Sequence, residues 1–288
     1  MAFAFILRRP AATITCAAAA LVLALSACSP APTAPPQTGN DLPDAHIHGL
    51  NVNGETGQVL LATHKGLYDM SANPAVRVGP ENDLMGFASA KDPGVFFASG
   101  HPGPGSSLPN PLGLIKSSDG GRTWEQLSRQ RESDFHALTT TKSGIVAFDG
   151  ALQTSPDGKT WQTATAGFQP ATLAGNPYSD TVLATTADGV QRSTDGGRTW
   201  ALTTSSPVIQ FAAFADAQEA FGVEPGGAVH YSPDGGATWT RQGQVSADVQ
   251  AIAATKGPDG KTALWAASPT ALWVSTDGGA TFHPANAS

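Results

Sequence analysis

Residues 117–124 read "SSDGGRTW", and four near-copies of this octapeptide follow along the chain. They are "TSPDGKTW" at 154–161, "STDGGRTW" at 193–200, "SPDGGATW" at 232–239 and "STDGGATF" at 275–282. Their aspartates are separated by 38, 38, 39 and 43 residues. A near-fixed period of about 40 residues built from short strands is typical of the blades of a β-propeller.

Short apolar segments surround each octapeptide in a constant order. In one repeat "TVLATT" is followed by "GVQRS", and the octapeptide then leads into "TWALTTS". Residues 45–79 have the same order without an octapeptide, while Gly and Pro are abundant and long amphipathic helices are absent. The sequence therefore predicts an all-β, six-bladed β-propeller with no spare strand, so that blade six packs side by side against blade one. The predicted blades are 44–80, 81–131, 132–167, 168–205, 206–245 and 246–286.

The octapeptide resembles the Asp-box, or bacterial neuraminidase repeat, which forms the hairpin between the third and fourth strands of a blade. The resemblance implies a structural role, on the side of the propeller away from the substrate pocket. The aspartate suits this role because it accepts backbone hydrogen bonds in turns, while the glycines permit positive φ and the aromatic residue packs between blades. The residues assigned to this role are Asp119, Asp157, Asp195, Asp234, Asp277, Trp124, Trp161, Trp200, Trp239 and Phe282.

The N-terminus predicts export and lipid anchoring. Arg8 and Arg9 precede a small apolar run that ends in "LSAC" at 25–28, which has the features of a secretory signal. The ending resembles the lipobox of bacterial lipoproteins, and this implies lipidation of Cys28. We therefore expect a signal peptide over 1–27, a lipidated cysteine with a disordered Pro-rich tether over 28–43, and the propeller over 44–288. The expected location is a bacterial membrane, facing the periplasm or the cell surface.

Charge and cysteine content exclude several classes of protein. The chain has a net charge of −7, and loss of a leader containing Arg8 and Arg9 makes it more negative. Such a domain lacks the basic surface that nucleic acid requires, so we expect no nucleic-acid partner. Both cysteines, Cys16 and Cys28, lie in the N-terminal segment, so the propeller has no disulfide. We expect a monomer.

Sialidase activity is not predicted. Sialidases clamp a carboxylate with three arginines, and the first usually stands in a Phe/Tyr-Arg-Ile-Pro motif. No such motif occurs after the leader, and Arg122 and Arg198 belong to octapeptides. Whether the protein is an enzyme of another kind stays open at this stage, because a fold does not imply a function.

Candidate ligand-binding groups cluster in the first three blades. Aligning the inner strands "HIHGL", "DLMGF" and "DFHAL" places imidazole or thioether groups in one column, with imidazole or carboxylate groups two positions earlier. The loops between the second and third strands add further groups on the same face of the propeller. The candidate ligand or metal residues are His46, His48, His64, Met85, His101 and His136, and the candidate catalytic carboxylates are Asp83, Asp134 and Asp149.

Three functions compete for this set of residues. Imidazoles suit Cu or Zn, and a thioether favours Cu(I), so the leading hypothesis is a membrane-tethered propeller that binds a ligand or a transition metal. The alternative is a glycoside hydrolase that uses the carboxylates for acid–base chemistry, and the second alternative is a protein-assembly scaffold. Individual histidines also suit a purely structural role. The long loop at 100–113 is interpreted as either a solvated loop or a lid over this face.

A closer resemblance spans residues 44–286. The segments "HIHGL", "ATHKGL", "MGF", "DFHAL" and "ASGHPGPG…NPLGLIKSSDGGRTW" are similar to those of exported bacterial Asp-box proteins labelled exo-sialidase-like glycosyl hydrolases. This resemblance implies the same fold and, through the label, a glycan substrate.

Overall fold

The computed structural model describes residues 42–204 and 206–285. These residues form six antiparallel four-stranded sheets, so the predicted six-bladed all-β propeller is confirmed. Among them, no helix is long and apolar enough to cross a membrane. The predicted signal peptide, Cys28 and nearly all of the tether lie outside the described residues.

Each blade is a meander of four consecutive strands, and the first strand lines the central channel. Blades one and two contain β1 (Ile47–Val52), β2 (Val59–Thr63), β3 (Gly66–Asp69), β4 (Val76–Val78), β5 (Asp83–Ser89), β6 (Phe96–His101), β7 (Leu114–Ser117) and β8 (Glu125–Ser128). Blades three and four contain β9 (Ala137–Thr141), β10 (Gly144–Phe148), β11 (Leu152–Ser155), β12 (Gln162–Thr163), β13 (Thr172–Ala174), β14 (Val182–Thr186), β15 (Gly189–Ser193) and β16 (Ala201–Leu202). Blades five and six contain β17 (Phe211–Phe214), β18 (Ala220–Val223), β19 (Ala228–Ser232), β20 (Thr240–Gln244), β21 (Ala251–Lys256), β22 (Thr262–Ala267), β23 (Leu272–Ser275) and β24 (His283–Pro284).

The core lies between neighbouring blades. The second strands are short apolar runs, and β2, β14 and β18 are buried along their whole length because a blade covers each face. Ile47 and Leu61 of blade one pack with Leu272 of blade six. The backbone N–H of Ile47 also donates to the side-chain oxygen of Gln250 at 3.1 Å. Blades six and one therefore meet by side-by-side packing, as predicted.

The Asp-box hairpin between β15 and β16 is held by a closed set of hydrogen bonds. Ser193 Oγ donates to Asp195 Oδ1 at 2.8 Å, and it accepts from the Gly197 N–H at 2.9 Å. Thr199 donates to both carboxylate oxygens of Asp195, through its N–H at 2.9 Å and its Oγ1 at 2.7 Å. The same pattern recurs in the copies at 117–124, 232–239 and 275–282. One closed set of hydrogen bonds therefore explains the serine, aspartate, glycine and threonine of the octapeptide.

The aromatic residue that ends each Asp-box packs where two blades meet. The ring of Trp161 lies 4.9 Å from that of Phe135, and its Nε1 donates to Ser128 Oγ of blade two at 3.0 Å. Trp124 packs in the cluster shared by blades one and two. These residues precede the fourth strand of their blade by one position.

Replacing Gly197 by alanine is expected to destabilise the propeller. Gly197 has a φ of +86°, and an added Cβ would lie 2.8 Å from a methyl group of Val146 in blade three. We expect the free energy of unfolding to fall by about 1–3 kcal/mol in chemical denaturation. Gly226→Ala is the matched control because its added Cβ has nothing within 4 Å. Equal stability of the two variants would contradict this account of the hairpin.

The Asp-boxes are also expected to set the acid limit of the fold. Hydrogen bonds from Thr281 hold the pKa of Asp277 at about 2, and those from Thr123 do the same for Asp119. In the unfolded chain an aspartate has a pKa of about 4. The stabilisation that these hydrogen bonds give the folded state is therefore complete above that pH and is lost as the pH falls toward 2. We expect the free energy of unfolding to decline over this window and the decline to be smaller in Asp277→Asn. An identical pH dependence in the variant would refute the assignment.

Candidate metal centre

Irregular pairing at the mouth of the channel positions the candidate groups. In β1 the ladder to β2 skips His48, and in β5 the ladder to β6 skips Met85. Such bulges commonly re-aim a side chain beside a functional site. His48, Met85, His136 and Gln250 all line the central cavity, which has a volume of about 360 Å³. The column recognised in the sequence therefore lies at one end of the channel.

Three histidines of blade one form a compact cluster, hereafter the first cluster: His46, His48 and His64. One nitrogen from each ring lies within 4.8 Å of the others. His48 Nε2 lies 3.2 Å from His64 Nε2, and their rings meet edge to face with centroids 4.3 Å apart. Two ligand atoms that each lie about 2.0–2.1 Å from one metal ion are separated by roughly 3–3.6 Å. The spacing of His48 and His64 thus fits a shared ion, and a small rotation of the exposed His46 brings in a third ligand.

Asp83 of blade two orients one member of the first cluster. His64 Nδ1 lies 2.9 Å from Asp83 Oδ1, and the imidazole donates this hydrogen bond. The proton is therefore on Nδ1, and Nε2 carries the lone pair of His64. His48 Nε2 lies 3.3 Å from Nδ1 and 3.2 Å from Nε2 of this ring. A carboxylate that fixes the tautomer in this way is a recurrent partner of metal-binding histidines. Three imidazoles leave a further coordination position open for water or a substrate.

The electrostatics of the first cluster favour neutral imidazole. Burial is the largest cause that lowers the pKa of His48, followed by the neighbouring rings of His64 and His46, and the result is a pKa of about 4. Asp83 opposes this shift only in part. His48 is consequently a neutral imidazole at neutral pH, and this is the form of histidine that binds a metal ion.

The other candidates form a second cluster between blades two and three: His101, Asp134 and His136. His101 Nε2 lies 3.1 Å from Asp134 Oδ2, and His136 Nδ1 lies 3.5 Å from the same oxygen. His101 Nδ1 lies 2.7 Å from the side-chain oxygen of Asn110, a residue that we did not predict. The only sequence signal for Asn110 was its place in the long loop at 100–113. His101 lies directly opposite Asp83 in the ladder between β5 and β6, so the two clusters are neighbours.

Two predicted residues, Met85 and Asp149, are members of neither cluster. Met85 lies in the wall of the central cavity. Asp149 accepts a hydrogen bond from Gln153 Nε2 at 2.7 Å, and Arg129 Nη2 lies 3.6 Å from its other oxygen. Asp149 thus ties the second-to-third-strand loop of blade three to the segment that enters this blade. The structure does not bring it to the histidines.

Comparison with known protein families identifies the repeat. The family described as BNR/Asp-box repeat matches residues 191–202, which include one octapeptide. A comparison with curated proteins gives no significant match. The match covers one hairpin and its flanks, so it establishes the repeat and leaves the activity undefined.

Solved structures that resemble this chain are propellers of several kinds. A gluconolactonase from Xanthomonas campestris is 12% identical, with a TM-score of 0.59 over 80% of this chain and 85% of that one. An ancestral GH74 enzyme is 14% identical, with a TM-score of 0.53 over 83% of this chain but only 37% of its own. YCF48 from Cyanidioschyzon merolae is 12% identical, with a TM-score of 0.51 over 82% of this chain and 97% of that one. At these identities the likeness shows the fold alone. The protein is thus a six-bladed β-propeller with Asp-box repeats.

The depressed pKa of His48 is open to direct measurement. In metal-free protein we expect the His48 ring to titrate near pH 4 in an NMR experiment. His64→Ala removes one repelling ring, so the pKa of His48 is expected to rise while staying below 6.5, because burial remains. His283→Ala, in the exposed outer strand β24, is the matched control and leaves the titration unchanged. A wild-type midpoint near 6.5 would contradict the described environment.

Proposed function

We propose that this protein is a transition-metal-binding propeller, with His46, His48 and His64 as ligands and Asp83 as the group that orients His64. The observation that carries the proposal is the 3.2 Å approach of two imidazole nitrogens, His48 Nε2 and His64 Nε2. A neutral imidazole keeps one ring proton, so the two rings either share an N–H···N hydrogen bond or, with the proton of each ring on Nδ1, present two lone pairs that one cation would bridge. The lowered pKa of His48 keeps this ring in the neutral form, which is the form that binds a metal ion.

The ligand set favours Zn or Cu over harder ions. Imidazole suits both metals, whereas Mg and Ca prefer oxygen. Met85 lines the same cavity as His48, and a thioether favours Cu(I). Cu(I) is therefore the alternative to Zn at the first cluster. With three protein ligands, the ion keeps a position for an exchangeable group. This arrangement suits either transfer of the metal to a partner or activation of a bound water.

The proposal also places this metal-binding protein at a membrane surface. The leader, the "LSAC" sequence and the Pro-rich segment support export and anchoring through Cys28. A lipid anchor and an extended tether would hold the propeller outside the cytoplasm, where metals arrive before uptake. We propose that the partner or ligand reaches the mouth of the channel in that compartment.

A metal site is a better fit than a glycoside hydrolase. The GH74 likeness rests on fold, and a hydrolase needs two carboxylates that face one glycosidic bond. Here Asp83 holds His64, Asp134 contacts His101 and Asp149 pairs with Arg129. Each carboxylate therefore has a different basic partner, and no two of them are held toward one common point. A scaffold role requires a protein partner that no feature of the described residues identifies.

The proposal predicts one equivalent of Zn²⁺ bound by the first cluster. The purified full-length chain is stripped with a chelator, dialysed against Zn²⁺ and analysed for metal. His48→Ala is expected to abolish binding at this cluster, and Asp83→Asn to weaken it about 10–100-fold because His64 loses its orienting partner. Bound metal should also raise the melting temperature.

The matched control for this measurement is His283→Ala, which removes an exposed imidazole in an outer strand. It is expected to bind Zn²⁺ with wild-type affinity. Wild-type stoichiometry in both His48→Ala and the paired variant His46→Ala/His64→Ala would overturn the proposed site.

A further inference from the structure

In the second cluster, both ring nitrogens of His101 lie beside oxygen atoms. His101 Nδ1 lies 2.7 Å from Asn110 Oδ1, and His101 Nε2 lies 3.1 Å from Asp134 Oδ2. Both neighbours are oxygen acceptors, whereas a neutral imidazole has one donor and one acceptor nitrogen. A neutral ring donates to only one of these oxygens, so a cation between His101 Nε2 and Asp134, with Nδ1 donating to Asn110, is one arrangement that satisfies both contacts.

Asp134 provides an independent indication that a cation is the missing group. Its Oδ1 is shielded from solvent and has no hydrogen-bond partner among the described residues. An orphaned buried acceptor is rare and commonly marks a site of an ion or ordered water. A hydrogen bond from His101 Nε2 satisfies Oδ2 but leaves Oδ1 without a partner, whereas an ion bound by both carboxylate oxygens would engage Oδ1 as well.

From these contacts we infer a second metal site, formed by His101, Asp134 and His136 and separate from the first cluster. Two of the three spacings fit, because Asp134 Oδ2 lies 3.1 Å from His101 Nε2 and 3.5 Å from His136 Nδ1. The three ligand atoms do not all lie within 4.8 Å of one another, as those of the first cluster do, so His136 has to rotate toward His101 to complete the site. Ligand atoms that share one first-row ion are separated by roughly 3–3.6 Å. The side chain of His136 is 61% exposed, so it adjusts its rotamer at little cost.

Asn110 gives the second site the same support that Asp83 gives the first. With a metal on Nε2, His101 Nδ1 carries the proton and donates it to the Asn110 oxygen. This is the partnership that fixes the tautomer of a metal-binding histidine. The long loop at 100–113 therefore has a role in the site, because it delivers the oxygen that orients the ligand.

The ligand chemistry of the second site differs from that of the first. Two imidazoles and one carboxylate suit a divalent first-row ion with open positions, such as Fe²⁺, Mn²⁺ or Zn²⁺. Because the ligand set carries a negative charge and no thioether, it does not favour Cu(I). The sites lie side by side through the cross-strand neighbours Asp83 and His101. The rim of blades one to three would thus hold two ions of different preference.

The test counts Zn²⁺ equivalents in the stripped full-length chain by equilibrium dialysis and metal analysis. Wild type is expected to bind two equivalents. Each of His101→Gln and Asp134→Asn is expected to bind one, retained at the first cluster. His46→Ala/His64→Ala is expected to bind one, retained at the second site. His283→Ala serves as the control and binds two, and thermal unfolding verifies that each variant is folded.

The remaining outcomes separate this inference from the proposed function. One equivalent in wild type, kept in both His101→Gln and Asp134→Asn, would show that His101 and Asp134 form only an ion pair and would overturn the second site. One equivalent that every variant loses would indicate a single shared site and would also overturn it. One equivalent lost in His101→Gln but kept in His46→Ala/His64→Ala would overturn the first site while supporting the second.

Discussion

The carboxylate of each Asp-box, held by the serine and threonine of its own hairpin, is the contact on which the rest of the propeller depends. In the copy at 193–200, Asp195 accepts hydrogen bonds from Ser193 and Thr199, and the turn between β15 and β16 is closed. The aromatic residue after the closed turn packs where two blades meet, as Trp200 does against the cluster of Val146, Leu152 and Val182. Five such hairpins recur along the chain, one in each of blades two to six.

The topology places stability and binding at opposite ends of this channel. In a four-stranded meander, the Asp-box hairpins lie at one end, and the starts of the first strands lie at the other. Bulges at His48 and Met85 interrupt the ladder at the second end and turn side chains toward the cavity. A rigid ring of blades can keep such groups close together although several of them repel, and burial together with this repulsion lowers the pKa of His48.

The two clusters share one physical design. In each, a side-chain oxygen accepts a hydrogen bond from Nδ1 of one imidazole, and Nε2 of that ring is then the candidate ligand atom. The accepting residue is Asp83 for His64 and Asn110 for His101. The clusters differ in charge, because the first consists of imidazoles alone and the second includes Asp134. This difference gives the rim two chemical preferences within one face of the propeller.

The sequence by itself determined the blade count, the closure and the column of His48, Met85 and His136, because the repeat sets a register and equivalent positions fall on equivalent strands. It did not determine which candidate residues belong to the first cluster and which to the second. His64 meets Asp83 and His101 meets Asp134 across blade boundaries, and the period of the repeat contains no information on which side chains meet there. Asn110 was missed because it lies in an irregular loop, outside the part of the blade that repeats. Only the tertiary structure decided these pairings, because they depend on the rotation of each blade against the next and on the bulges that aim individual side chains.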